Sequence, residues 1–152
     1  MGVVRARSMT VEDIPQVLEI ENLCFTVPWS PEAFEMEISK NKFAQYVVAE
    51  VDGRIAGYGG MWFIVDEAHV TNIAVHPQYR AKGYGELIVA AMVRRADDQG
   101  IYQMTLEVRA SNHVAQNLYR KFGFEPCGVR PKYYADNNED AVIMWRTKEN
   151  CL

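Results

Sequence analysis

Cysteine is scarce in this 152-residue chain, and long apolar runs are missing. The three cysteines, Cys24, Cys127 and Cys151, are odd in number and far apart, which suggests neither a disulfide framework nor a zinc site. His69, His76 and His113 lack metal-ligand spacing, so no metal is expected. No stretch approaches the roughly 20 apolar residues that span a bilayer, and the N-terminus has no signal-peptide core. Met1-Gly2 opens like a myristoylation signal, but Ala6 stands where serine or threonine is wanted. A cytoplasmic chain with no membrane partner is expected. Basic excess is absent too. A net charge of −4 argues against bulk nucleic-acid binding, because phosphate-neutralising surfaces normally carry positive excess. With no repeat, linker or low-complexity segment, residues 1–152 are expected to form one domain.

What is present reads as a mixed α/β chain. Val3 to Ser8 alternates apolar and basic residues, as a first strand does. Thr10 is a fitting N-cap for a helix to about Phe25, with Ile14, Val17, Leu18 and Leu23 as its apolar face. After a break at Thr26 to Ser30, Pro31 restarts a helix that runs to about Ser39. Ala44 to Val51 and Arg54 to Ile64 flank Asp52-Gly53, a hairpin signal, and Glu67 to Val75 continues the meander. A helix over 85–97, a strand from Gln103 to Val108 and a helix from Asn112 to Lys121 follow. The last two strands, Pro126 to Arg130 and Ala141 to Arg146, are joined by a polar loop over 133–140. The order β-α-α-β-β-β-α-β-α-β-β predicts a mixed, mostly antiparallel sheet with helices on both faces.

The stretch from Ile73 to Ile88 carries most of the functional signal. An apolar strand ends at His76-Pro77, a short basic turn follows, and Gly83-Tyr84-Gly85 opens a helix. Glycine permits close backbone approach, a helix start leaves N–H groups unsatisfied, and the helix dipole favours negative charge. Arg80 and Lys82 add positive charge there. Three readings stay open from the residues alone. The first is an ordinary strand–helix connection. The second is a dinucleotide fingerprint, which Gly83, Gly85 and the distance to Glu107 fit, but Ile88 stands in place of the third glycine. The third is a phosphate-holding turn of the form R-x-x-G-x-G, met by Arg80, Gly83 and Gly85. The P-loop pattern is absent.

The second informative block runs from Leu106 to Tyr119. Met104, Leu106 and Val108 point to one face of a strand, and Thr105 and Glu107 to the other. If both faces are covered, the Glu107 carboxylate must be paired (Arg109 is one candidate), solvated through a cleft, or functional. Tyr119 lies at apolar-face spacing with Ala115, Leu118 and Phe122, so a core tyrosine competes with a catalyst. Asn112 fits a helix N-cap.

L-E-V-R-x-S-N followed by A-x-x-L-Y-x-x-x-G-F, behind R-x-x-G-x-G, resembles the GNAT family of N-acetyltransferases. Pro28-Trp29-Ser30, Asn72 to Val75, Tyr133-Tyr134 and Glu139 to Ala141 extend the resemblance over about residues 3 to 146, towards the bacterial branch that acetylates a ribosomal protein on its N-terminal alanine. Ala81 departs from the glycine common at that position. The loop around Ala135, Asp136 and Asn137 also resembles archaeal and eukaryotic N-terminal acetyltransferases. The resemblance implies acetyl-CoA as co-substrate and the N-terminal segment of an acceptor protein, a ribosomal one, as partner. It implies Glu107 as general base and Tyr119 as general acid. Ile73, Ala74 and Val75 would hold the pantetheine arm, helped by Asn112. Ala81, Lys82, Gly83, Tyr84, Gly85 and Glu86 would hold the pyrophosphate, with Arg80 also binding the cofactor. Trp29, Tyr133 and Tyr134 would grip the peptide, and attack would be direct, without Cys127 as a relay. Acetylation of lysine or small amines, and acyl-CoA binding without turnover, are the competing functions.

Overall fold

Asp52-Gly53 closes the hairpin that organises the first half of the chain, with Val51 opposite Arg54. A computed structural model describes residues 3–147, so Met1, Gly2 and Cys151 lie outside the described residues. The elements are β1 (Val4–Ser8), α1 (Ile14–Cys24), α2 (Pro31–Ser39), β2 (Ala44–Val51), β3 (Arg54–Ile64), β4 (Glu67–Val75), α3 (Tyr84–Asp98), β5 (Gln103–Arg109), α4 (His113–Lys121), β6 (Glu125–Tyr134) and β7 (Glu139–Arg146). The strands form a seven-stranded sheet of order β1-β2-β3-β4-β5-β7-β6, as the mixed α/β reading anticipates. No helix among the described residues is long and apolar enough to cross a membrane.

Two compact units divide the chain. The first runs to Trp62 and includes Thr71–Met92. Its core joins Ile14, Val17 and Ile20 of α1 and Phe34 of α2 to Tyr46, Val48 and Tyr58 of the strands. α1 buries Ile14, Val17, Ile20 and Glu21, whereas Leu23 is exposed, so the apolar face is rotated from the one the sequence suggests. α2 starts as its residues dictate: Ser30 Oγ accepts the Ala33 N–H at 3.1 Å and Pro31 opens the helix. On the opposite sheet face, α3 presses against Gly57. A Cβ there would come within 2.7 Å of the Ala74 carbonyl and 2.9 Å of Ile88 Cδ1. Gly57 and Tyr58 alternate across β3, so helices cover both faces of this unit's strands.

The second unit comprises Phe63–Val70 and the chain from Val93 onward. Here β5 pairs antiparallel with β7 from Met104↔Arg146 to Arg109↔Ala141, while Glu67–His69 of β4 runs parallel to Gln103–Thr105. Buried Arg146 donates to the Phe122 carbonyl at 3.0 Å and to Asp97 at 3.1 Å. The polar loop is shorter than the sequence suggests. β6 continues to Tyr134 and β7 begins at Glu139, because a register shift between Arg130 and Tyr134 absorbs Pro131 and lets pairing resume.

Candidate active site

β4 carries Ile73, Ala74 and Val75 to its C-terminal end. The His76 N–H then donates to the Ala56 carbonyl at 2.8 Å, fixing the exit of the strand against β3. After one 3₁₀ turn at Pro77–Tyr79, Arg80, Ala81 and Lys82 lead to α3. Gly83 has φ +87°, and a Cβ built on it meets nothing within 4 Å, so the space before it is open. Ala81 also sits at a left-handed φ of 62°, which costs an alanine about 1–2 kcal/mol and locates the strain of the turn. The Leu87 N–H donates to the Gly83 carbonyl at 3.1 Å, so the amides of Tyr84 and Gly85 precede the first bond of α3. Gly85 is therefore part of the helix rather than of the loop. Glu86 follows in the same turn of helix.

The cations at the turn behave differently. Lys82 Nζ lies 6.0 Å over the Tyr79 ring. Arg80 folds back instead, donating from Nε to the Val75 carbonyl and from Nη2 to Cys24 Sγ, each at 3.2 Å. Burial pushes the Cys24 thiol up despite that guanidinium. An open space at a helix start beside a lysine fits an anionic group such as a pyrophosphate.

In the second unit, the Glu107 side chain is 26% exposed and pairs with Arg130 Nε at 3.3 Å. Arg109, the partner suggested by sequence, turns to Asp136 at 2.8 Å and Glu139 at 3.4 Å, and stacks 4.1 Å from the Tyr134 ring centroid. Tyr119 is 9% exposed and packs on Phe124. Burial, with a contribution from Tyr134, pushes its phenol up to about 12. Tyr134 is likewise pushed to about 12, chiefly by burial; Arg109 pulls it down and Glu107 is among the groups pushing it up. Tyr134 thus interacts electrostatically with Tyr119 on one hand and with Glu107 on the other.

The local sequence explains how this group is held. Asn112 caps α4, its Oδ1 accepting the Ala115 N–H at 3.1 Å. Buried Gln116 donates to the carbonyls of Arg109 and Ala110, both at 3.1 Å, locking α4 to the end of β5. Tyr133 is half-exposed and edge-on to Tyr134 at 5.0 Å. Cys127 is exposed on β6. Among the described residues no three His, Cys, Asp or Glu side chains gather as a metal would require.

Trp29, in the first unit, packs its ring 5.2 Å from Phe34 and 6.5 Å from Tyr46. Its N–H donates to Glu21 Oε2 at 2.9 Å. The sequence reading missed Glu21 and Glu37, carboxylates that are 2% and 8% exposed. A signal existed for Glu21, which lies four residues after Val17 on the buried face of α1.

Residues 14–124 match the acetyltransferase (GNAT) family. A protein of Bacillus subtilis (strain 168), provisionally named a ribosomal protein bS18-alanine N-acetyltransferase, is 48% identical over 141 residues, covering 93% of each chain. The ribosomal protein bS18-alanine N-acetyltransferase of Escherichia coli (strain K12) is 33% identical over 90% of this chain and 93% of its own. The crystal structure of the Escherichia coli ribosomal-protein-S18-alanine N-acetyltransferase superposes with a TM-score of 0.86 at 30% identity, covering 95% of this chain and 93% of that one. The glycine turn, the strand–helix block around Glu107 and these likenesses agree: the chain belongs to the GNAT family of acetyltransferases.

Proposed function

We propose that the chain, acting as one catalytic domain in the cytoplasm, moves the acetyl group of acetyl-CoA to the α-amine of a protein N-terminus. The acceptor is a ribosomal protein that begins with alanine, a choice supported by the names of the two relatives. The observation that carries the chemistry is a partly exposed carboxylate, Glu107, on the strand that leads into the helix carrying the buried Tyr119 hydroxyl. Acetyl-CoA supplies a thioester carbonyl carbon open to an amine. Glu107 takes the proton that the α-ammonium must lose, directly or through one water. Tyr119 keeps its proton at neutral pH and presents it to the departing sulfur. Amides of Ile73, Ala74 and Val75 hold the pantetheine arm, with Asn112 assisting. The turn from Ala81 to Glu86 holds the pyrophosphate, while Trp29, Tyr133 and Tyr134 grip the peptide.

Two experiments test this reading. Gly83→Val places a β-branched side chain at φ +87°, in the space that a phosphate needs. Calorimetry should find CoA binding weakened by about tenfold or more in the folded variant; unchanged affinity would remove the turn from the cofactor site. The acceptor is tested with a peptide carrying a free N-terminal alanine and internal lysines. The α-amine has a reference pKa of about 7.7–8.0 and lysine one of about 10.4, so at pH 7 the neutral terminus is more abundant by over two orders of magnitude. Fragmentation mass spectrometry should place the acetyl group on the terminus. An acetyl group found mainly on lysine would favour the side-chain acetyltransferase, and binding without turnover the acyl-CoA module.

A further inference from the structure

Burying a carboxylate costs several kcal/mol unless it is well paired, and an apolar side chain of similar size often serves stability better. Glu21 breaks that rule on the apolar face of α1. Its two oxygens receive different elements. Oε2 accepts the N–H of Trp29 at 2.9 Å, in the break between α1 and α2. Oε1 accepts the hydroxyl of Tyr58 on β3 in a short hydrogen bond. Tyr58 in turn accepts from Asn72 Nδ2 at 3.2 Å, and Asn72 immediately precedes Ile73 on β4. The hydroxyl of Thr71 donates to Asn72 Oδ1 at 2.9 Å and meets Tyr46 at 3.1 Å. Tyr46 then donates to Glu37 Oε1 at 3.0 Å, where the Trp62 indole also donates at 2.6 Å. A continuous, partly buried polar chain therefore runs from the Trp29 backbone, through Tyr58, to the strand residues beside Ile73.

We propose that Glu21 is a positioning residue that holds the Pro28-Trp29-Ser30 segment in register with β4, and so sets where an acceptor peptide lies. The inference rests on the reading that Trp29 grips the acceptor and Ile73 to Val75 the acyl carrier. Glutamine at position 21 keeps the shape but replaces two charged acceptor oxygens with one neutral oxygen and an NH2 donor, so the Trp29 N–H and the Tyr58 O–H both lose their charged acceptor and only one of them keeps an acceptor oxygen. Tyr58→Phe removes the strand side of the same tie and keeps the ring in the core.

The test is steady-state kinetics on Glu21→Gln, Tyr58→Phe and the double variant, with the alanine peptide and acetyl-CoA varied in turn. Losing a hydrogen bond to a charged group should raise the peptide KM about tenfold in Glu21→Gln. The acetyl-CoA KM should stay within about twofold in every variant. The double variant should be no worse than the poorer single one, because both changes cut one connection. A peptide KM unchanged in the folded variants overturns the proposal, as does an equal rise in both KM values, which marks a general structural role. If Glu21→Gln does not fold, Tyr58→Phe decides by the same readout. Wild-type protein is the control. If it acetylates no N-terminal peptide, the functional reading fails and this inference falls with it, whereas wild-type turnover with an unmoved KM in the variants sinks this inference alone.

Discussion

Glu107→Gln is expected to lower the single-turnover rate at pH 7 by about 10²–10⁴-fold, the usual loss when a general base is removed. Glutamine fills the same space, so the site keeps its shape. The ion pair with Arg130 is also lost, but its partners are 55% and 26% exposed, so the stability it provides is slight. The melting temperature should therefore scarcely move. Raising the pH should recover part of the rate. Above the α-amine's own pKa of about 7.7–8.0 the nucleophile is already neutral, and a base has less to do. The measurement is a rapid-quench pH profile of wild type and variant under conditions where chemistry limits the rate. A variant within a few-fold of wild type at pH 7 would show that Glu107 is structural, or that another group takes the proton.

Tyr119→Phe should be the second severe variant, with a loss of about 10²-fold or more in single-turnover rate and near-normal affinity for CoA. The change deletes one hydroxyl and leaves the ring against Phe124. Burial pushes the Tyr119 phenol up to about 12, so its proton stays in place through the neutral range and the effect should be flat from about pH 6 to 9. A cysteine-like thiol has a reference value of about 8.5, so full transfer to a free thiolate runs uphill. The hydroxyl thus contributes most as a hydrogen-bond donor to charge developing on sulfur. Thermal melting on the same sample separates the alternatives. Normal turnover with a modest loss of stability would return Tyr119 to the core.

Strand and helix positions were legible because their signals are local. Asp52-Gly53 marks the β2–β3 hairpin, Ser30-Pro31 marks the start of α2, and Glu67 to Val75 matches β4 at both ends. Non-local effects were not legible. β6 runs past Pro131 because an edge strand can absorb a proline at a register shift, which composition does not announce. α1 is rotated toward Glu21 because a tyrosine from β3 and an amide from the next loop meet that carboxylate. Neither partner lies within a helical turn of it in sequence. The candidate site divides in the same way. Gly83, Asn112 and Glu107 could be picked out from spacing and chemistry. That Arg80 turns to Val75 and Cys24, and that Arg130 rather than Arg109 pairs with Glu107, depends on which strand lies beside which.

The outer strand of the second unit has a consequence for how copies of this protein meet. An edge strand offers a ladder of unpaired backbone groups on which another chain could add a strand. In β6 that ladder is broken repeatedly. Pro126 and Pro131 have no N–H to offer, pairing shifts between Pro126 and Gly128 and again between Arg130 and Tyr134, and Lys132 turns through a φ of 52°. An incoming strand would find only short stretches of usable donors and acceptors, flanked by Glu125, Arg130 and Lys132. Resistance to edge-to-edge polymerisation is thus written into the backbone at this border, and high salt, which screens the charges, leaves it intact.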